Sequence, residues 1–299
     1  MRARVDAGLT VACVEVSPKF DERLRRALSF PNPEYLDRLR LGLSARGVPE
    51  RLCFVEENGA ELRLPRGAIH ALRRQAAIEG VIVQCDDRRV LPAERIDECI
   101  EPSLRPYQDR ALQAMVNVTQ GTVVLPCGGG KTRIGVAAIA RLRTPTLILV
   151  HTLDLAEQWR GQLRELLGVE AGLVGDGEET VAPVTVALVQ ALTRWDVPRL
   201  DVLLERFGLL IVDEAHHCPS TTFRAVVDRC PARYRFGLTA TPEREDGLTP
   251  LLELFLGPAV ATVTHEELVA AGVLKLPDVR VIETAFAFDP DFAREGFKV

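Results

Sequence analysis

From about residue 104 onward, short apolar runs alternate with amphipathic segments, and no other feature constrains the fold as strongly. The apolar runs have the length of strands and carry few polar positions, which is typical of parallel strands covered by helices on both faces. The alternation therefore predicts an α/β fold with a mainly parallel sheet flanked by helices. The predicted strands are residues 122–125, 146–150, 184–188, 209–212 and 235–238. The predicted helices are residues 131–142, 153–167 and 221–228, followed by a helix that begins at Thr264 and a strand at 279–284.

The first hundred residues lack this alternation of apolar and amphipathic segments, and they contain six prolines. They predict a small α/β accessory domain over residues 1–101, ahead of a larger unit at 102–288. A two-residue turn is expected at Asn58-Gly59, a dipeptide typical of hairpins. The expected elements are strands at 9–16 and 81–84, helices at 21–28, 33–41 and 67–79, and a hairpin that joins 52–55 to 61–64.

Composition narrows the class of protein. Of the 299 residues, 47% are hydrophobic and 26% are charged, as in ordinary globular domains. The formal net charge of −5 disfavours a nucleic-acid binder that relies on bulk positive charge. The seven cysteines form no C-x-x-C pair, so neither a disulfide framework nor a zinc ribbon is expected. No run approaches the roughly 20 apolar residues of a membrane span and no signal peptide is recognisable, so we expect a cytoplasmic protein without a membrane partner.

A glycine-rich loop connects the first predicted strand of the larger unit to its first helix, and it reads Leu125-Pro-Cys-Gly-Gly-Gly-Lys-Thr132. Three glycines let backbone N–H groups converge, and the helix directs the positive end of its dipole to the same point. The pattern predicts a polyphosphate site in which Lys131 reaches the β- and γ-phosphates and Thr132 binds Mg²⁺. Leu125 occupies the position where the usual P-loop pattern has its first glycine.

Two acids, Asp213 and Glu214, directly follow the predicted strand at 209–212. A carboxylate at the end of a parallel strand beside a phosphate loop is placed to hold Mg²⁺, and its neighbour is placed to polarise the attacking water. Two acids at a strand end, taken alone, are commonly a solvated turn. The nearby residues of metal-binding type fit no usual zinc spacing; they are His216, His217, Cys218 and Cys230.

Two further segments allow a functional and a structural interpretation. The hydroxyls of Thr239 and Thr241 lie after the predicted strand at 235–238 and could relay the state of a γ-phosphate, although the segment alone is a turn of small residues. Gln108 carries both a donor and an acceptor and could recognise an adenine edge, although a polar start of a helix is an equally good interpretation.

The order of these segments over residues 103–247 resembles that of superfamily 2 helicases and, within them, the XPB-like family, with a looser likeness to about residue 284. The segment Leu104-Arg-Pro-Tyr-Gln108 is similar to the Q motif, and the glycine loop to motif I in its XPB-type form. The other similar segments are Val150–Trp159 (motif Ia), Val186–Gln190 (the backbone-contacting segment before motif II), Ile211–His216 (a DEAH-type motif II), Leu238–Thr241 (motif III) and Arg244-Glu245-Asp246 (the RED motif).

This resemblance implies a RecA-like P-loop lobe that uses ATP and Mg²⁺ and acts on duplex, forked or single-stranded DNA. The catalytic residues it implies are Lys131, Asp213 and Glu214, with Thr132 and Asp213 as Mg²⁺ ligands. The nucleotide-binding residues it implies are Arg105, Gln108, Cys127, Gly128, Gly129, Gly130, Lys131, Thr132 and Arg133. Coupling of ATP to DNA is implied for His216, Thr239 and Thr241. DNA contacts are implied for His151, Thr152, Gln190, Arg244, Glu245 and Asp246.

Members of this family carry a second RecA-like lobe, for which the residues beyond about 284 leave no room. We therefore expect residues 289–299 to begin a linker to a second lobe, in a full-length protein or a partner chain. The chain alone is expected to bind nucleotide and to hydrolyse it slowly.

Two alternatives remain open: a non-enzymatic DNA-binding or scaffold subunit, and the DNA-translocating motor of a restriction or defence complex. Arginines of the accessory domain could contact DNA phosphates or lie on solvated faces. They are Arg38, Arg40, Arg46, Arg63, Arg66, Arg73 and Arg74.

Overall fold

A computed structural model describes residues 1–97, 100–218, 220–240 and 249–275. The first unit has one sheet in the order β5-β6-β2-β1-β7 and a separate antiparallel pair of β3 and β4. Within the first sheet only β1 and β7 pair in parallel. The elements of this unit are β1 (Arg2–Val5), β2 (Gly8–Ala12), α1 (Pro18–Ala27), β3 (Ser29–Pro31), α2 (Pro33–Arg40), β4 (Arg51–Cys53), β5 (Glu56–Asn58), β6 (Glu61–Pro65), α3 (Ile69–Ile78) and β7 (Gln84–Asp87).

The helices of the first unit follow local sequence signals. Helix α1 begins after Ser17, whose hydroxyl accepts a hydrogen bond from the Phe20 amide, and Pro18 occupies its first turn. Helix α3 buries Leu72 and Ala76 on the side that contacts α1. These two helices therefore cover the sheet in the way that their apolar positions predict.

The hairpin predicted between 52–55 and 61–64 is wrong in its first strand. The turn lies one residue later than predicted, at Gly59 and Ala60, because Asn58 pairs with Glu61 as the last residue of β5. A tight turn fixes the register of both strands, which leaves the apolar 52–55 run outside this hairpin. Part of that run forms β4, while Phe54 and Val55 pack into the core. Strand β7 likewise begins at Gln84, where the predicted strand at 81–84 ends.

Among the residues that the structure describes, the larger unit has an eight-stranded sheet in the order β11-β10-β12-β9-β13-β14-β8-β15, in which only the edge strand β11 is antiparallel to its neighbour. The predicted α/β class with a mainly parallel sheet is confirmed. Its elements are α4 (Pro106–Val116), β8 (Gln120–Val124), α5 (Lys131–Leu142), β9 (Thr146–Val150), α6 (Leu153–Leu167), β10 (Gly172–Gly175), β11 (Glu178–Glu179), β12 (Val184–Leu188), α7 (Val189–Leu192), α8 (Val197–Leu204), β13 (Leu209–Val212), α9 (Thr221–Val227), β14 (Tyr234–Thr239), α10 (Thr249–Leu256), β15 (Ala259–Thr262) and α11 (His265–Ala270).

Most elements of the larger unit agree with the sequence patterns. Strands β9, β12 and β13 and helices α5 and α6 have the predicted bounds, and β8, β14 and α9 differ by one or two residues. Helix α11 begins with the expected capping box, because the Thr264 hydroxyl accepts from the Glu267 amide and the Glu267 carboxylate accepts from the Thr264 amide. The strand predicted at 279–284 and the linker at 289–299 lie outside the described residues.

The first unit and one face of the large sheet share a hydrophobic core. The rings of Phe54 and Phe255 meet edge to face with their centroids 5.4 Å apart. Gly67 lies so close to α10 that a Cβ there would stand 2.6 Å from the Leu254 carbonyl oxygen. The two units are therefore packed against each other rather than joined only by the chain.

Two buried arginines add polar bonds across this junction. Arg66, only 1% exposed, donates from Nη1 to the Ala232 carbonyl and from Nε to the Gln120 side chain. Arg235 on β14, fully buried, donates from Nη2 to the Ala7 carbonyl. Burial lowers the pKa of both guanidinium groups. The expectation that Arg66 contacts DNA phosphates is therefore wrong, because its N–H groups bind carbonyl and amide oxygens inside the protein.

Among the helices of the described residues, none combines the length and the apolar character needed to cross a bilayer.

Candidate nucleotide-binding site

The residues that sequence analysis predicts to bind nucleotide converge at one edge of the large sheet. Strands β9, β13, β14 and β8 are adjacent and parallel, so the segments that follow them emerge side by side. In open α/β sheets this carboxyl edge is where ligands bind. The glycine loop follows β8, the two acids follow β13, Thr239 ends β14 and His151 follows β9.

The glycine loop has a shape that side chains would not allow. Gly128 and Gly130 have φ angles of +80° and +89°, in the left-handed region. A Cβ on Gly129 would lie 2.8 Å from Leu125 Cγ, and a Cβ on Gly130 would lie 2.5 Å from Gln108 Nε2. Helix α5 starts directly afterwards at Lys131, so the unpaired amides of its first turn face the same space. This arrangement fits a phosphate group.

Gln108 and Tyr107 support the loop from α4. Gln108 Nε2 donates to the Gly129 carbonyl at 2.9 Å, and the Tyr107 hydroxyl donates to the same oxygen at 3.0 Å. Gln108 Oε1 accepts from the Arg105 amide at 2.9 Å. The structure thus places the predicted adenine-binding glutamine against the phosphate loop. Sequence analysis missed Tyr107, although it lies inside the motif that identified Gln108.

Asp213 is held by two hydrogen bonds at the end of β13. Its Oδ2 accepts from Trp159 Nε1 at 2.8 Å, and its Oδ1 accepts from the Glu214 amide at 2.9 Å. The carboxylate is 3% exposed, and this burial raises its pKa despite the Trp159 hydrogen bond. A carboxylate and the Thr132 hydroxyl are oxygen ligands of the kind that Mg²⁺ prefers, so the side chains fit this metal. Trp159 was missed, although it ends the segment that resembles motif Ia.

Lys131 and Glu214 form an ion pair across the site, with Lys131 Nζ 3.6 Å from Glu214 Oε1. Glu214 has a left-handed backbone with φ +46°, which is uncommon for a residue with a side chain. Its other oxygen, Oε2, lies 3.4 Å from His216 Nδ1, which is in turn 3.3 Å from Thr239 Oγ1. The structure thereby brings together the predicted catalytic acid, the cation and two of the three predicted coupling residues.

The other predicted nucleotide-binding residues lie around the loop. Cys127 is exposed at the loop. Arg133 donates from Nε to the Ser103 carbonyl at 2.9 Å, which ties α5 to the segment before α4. Arg105 contributes its backbone amide to Gln108, and its side chain is exposed.

Three predicted DNA contacts form a second group at the same edge. Gln190 Nε2 donates to the His151 carbonyl at 3.1 Å. Thr152 caps α6 by accepting from the Leu155 amide at 3.4 Å. The remaining predicted residues lie outside the described residues; they are Thr241, Arg244, Glu245 and Asp246.

Comparison with known proteins agrees with this geometry. Residues 101–244 match the family model described as "Type III restriction enzyme, res subunit". Over 185 residues the chain is 36% identical to the "DNA 3'-5' translocase XPB2" of Sulfurisphaera tokodaii, a match that covers 62% of this chain and 41% of the relative. It is 37% identical to the "DNA 3'-5' helicase XPB" of Kineococcus radiotolerans, over 59% of this chain and 33% of the relative. The chain thus spans less than half the length of these relatives.

Among solved structures, the UvsW helicase of bacteriophage T4 has a similar fold, with a TM-score of 0.66 at 18% identity. That similarity covers 87% of this chain and the whole of the T4 chain. At this identity it concerns the fold alone. The sequence relatives are the stronger comparison, and over the matched 59–62% of its length this chain is similar to XPB-like DNA helicases and translocases.

Proposed function

We propose that this chain is the ATP-binding lobe, with a DNA-binding accessory unit, of an ATP-dependent DNA helicase or translocase. One observation carries the proposal: Lys131, Asp213 and Glu214 converge beside a glycine loop whose shape excludes side chains. A scaffold protein would have no need to keep a buried acid, a cation and an open phosphate cradle together.

Different side chains of the site bind the phosphates, hold the metal and activate the attacking water. The glycine loop and the first turn of α5 bind the phosphates, and Lys131 exchanges its contact with Glu214 for the phosphate oxygens. Asp213 and Thr132 would hold Mg²⁺, which would neutralise charge on the phosphates. Glu214, released by Lys131, orients the attacking water and accepts its proton. His216, which lies next to Glu214 and Thr239, transmits a change in the position of the Glu214 side chain to the neighbouring strands.

DNA is proposed as the partner because the two relatives are named for action on DNA. The 3'-5' direction in their names is the direction we propose here. Gln190, Thr152 and His151 lie together at the sheet edge, where a strand of DNA would pass. Exposed arginines of the first unit, among them Arg74, are placed to add phosphate contacts. A second RecA-like lobe would supply the remaining groups for fast hydrolysis.

The test is nucleotide binding by the 299-residue chain, measured with a fluorescent ATP analogue and Mg²⁺. Lys131→Ala removes a charged hydrogen-bond donor, worth roughly 1.5–3 kcal/mol, so the dissociation constant should rise by about 10- to 100-fold. The matched control is Lys19→Ala, at an exposed position on α1, which should bind like the unsubstituted chain. Equal affinity of the Lys131 and Lys19 variants would refute the proposed site.

A further inference from the structure

Three histidine rings lie in contact between the nucleotide site and the proposed DNA-contacting loops. The His216 and His217 rings are 4.2 Å apart between centroids, and the His217 and His151 rings are 4.5 Å apart. His217 therefore contacts both of the other rings. We propose that this row of rings couples the nucleotide site to the DNA-contacting loops, with His217 as a positioning residue; the inference rests on the function proposed above.

One end of the row contacts the reaction centre. His216 Nδ1 lies 3.4 Å from Glu214 Oε2, the oxygen that does not face Lys131. His216 and His217 belong to the same short 3₁₀ turn, Ala215–His217, which starts directly after Glu214. A change in the position of Glu214 therefore moves both rings together.

Glu214 is also the point where the backbone stores strain. Its φ of +46° places a residue with a side chain in the left-handed region, which is energetically unfavourable. Ala215 and Cys218, on either side of the two histidines, are fully buried and anchor the turn. A change at the nucleotide site that alters this backbone conformation is thus transmitted through the histidine rings, which lie partly outside the packed core.

The other end of the row contacts the DNA-contacting loops. His151 directly follows β9, and its carbonyl accepts the Gln190 side-chain hydrogen bond. Thr152, the next residue, caps α6. The Nδ1 atom of His151 is buried without a hydrogen-bond partner among the described residues, so ring packing contributes to holding it in place. A displacement of this ring shifts both proposed DNA contacts.

Ring contact, rather than volume alone, is the property that the row requires. Aromatic rings at centroid distances of 4.5–7 Å interact in preferred orientations, and the observed contacts lie at or just below the short end of that range. His217 is also near Phe223, with an interplanar angle of 18° at 6.5 Å. His217 is therefore confined by rings on more than one side and passes motion between them.

The experiment measures binding linkage in the 299-residue chain. The dissociation constant of a fluorescein-labelled forked DNA is measured with and without the β,γ-imido analogue of ATP and Mg²⁺. The ratio of the two constants is the coupling factor, and linkage requires the same factor for the nucleotide measured with and without DNA. We expect a factor of about 5- to 150-fold in the unsubstituted chain.

His217→Ala should reduce this coupling factor to about one, while each ligand bound alone keeps its affinity within about threefold. His217→Phe keeps a ring in place and should retain most of the coupling. The matched control is His265→Ala at an exposed position on α11, which should leave the factor unchanged. If the alanine variant does not fold, His217→Leu replaces it, because leucine fills the space without a ring.

Several results would overturn the inference while leaving the proposed function intact. They are an unsubstituted chain that binds both ligands without linkage, an alanine or leucine variant with the original coupling factor, and a phenylalanine variant that loses coupling as alanine does. An unsubstituted chain that fails to bind nucleotide would instead overturn the proposed function itself, and the inference with it.

Discussion

The hydrogen bond from Trp159 to Asp213 allows a sharp test of the proposed metal site. Trp159 is fully buried on α6, and its indole N–H is 2.8 Å from the Asp213 Oδ2 atom. Trp159→Phe removes this donor and keeps an aromatic ring in the core. The carboxylate then loses one of the two hydrogen bonds that hold it in the orientation described above.

The expected magnitude follows from the kind of bond that is lost. A hydrogen bond to a charged group contributes roughly 1.5–3 kcal/mol. Partners that orient a metal ligand typically change metal affinity by about 10- to 100-fold when they are replaced. The Mg²⁺ concentration for half-maximal nucleotide binding by the Trp159→Phe variant should therefore rise by about one to two orders of magnitude.

The assay is a Mg²⁺ titration of fluorescent-nucleotide binding, with urea unfolding measured in parallel. Trp195→Phe is the matched control, because Trp195 packs under the Arg199 guanidinium at 3.7 Å, outside the site. Nucleotide affinity without Mg²⁺ should be the same in both variants. If both variants also require the same Mg²⁺ concentration, Trp159 does not orient a metal ligand and the reasoning is refuted.

Two further predictions concern the loop and the junction between the units. Gly130→Ala should lower nucleotide affinity, because Gly130 has a φ of +89° and a Cβ there would lie 2.5 Å from Gln108 Nε2. Gly177→Ala is the control, because Gly177 has a φ of +80° but open space around it. This control should lower the free energy of unfolding by roughly 1–2 kcal/mol and leave nucleotide binding unchanged. Asp87 bonds to Arg89 and, across the junction, to Arg233, and the Arg89 hydrogen bond is the main cause that lowers the pKa of Asp87 from 3.8 to about 2. Because the folded-state pKa is lowered, this carboxylate stabilises the fold above pH 4 or so, and its contribution is lost as pH falls towards 2. Urea unfolding of Asp87→Asn should show lower stability than the unsubstituted chain at pH 7 and a smaller difference at pH 3; a difference independent of pH would contradict this role.

Local patterns in the sequence were enough to predict the class of the fold and the loops that carry the candidate site. Strand β13 is apolar along its whole length and β9 is apolar after Thr146, and such apolar runs are typical of buried parallel strands. Helix α11 was marked by its capping box, which is a purely local signal. The order of motifs then located Lys131, Asp213 and Glu214, since each follows its strand at a fixed spacing.

The contacts between residues that are far apart in the chain could not be predicted from such patterns. The hairpin register in the first unit, the burial of Arg66 at the junction, the Trp159–Asp213 hydrogen bond and the row of histidine rings all depend on this packing. Arg66 illustrates the reason: its charge and its neighbours in sequence are those of an exposed arginine, and its burial is favourable because the Ala232 and Arg233 carbonyls, in the segment before β14, and the Gln120 side chain accept its N–H groups. Local patterns encode periodicity and turns, whereas the partners of a buried polar group come from parts of the chain that the local sequence does not specify.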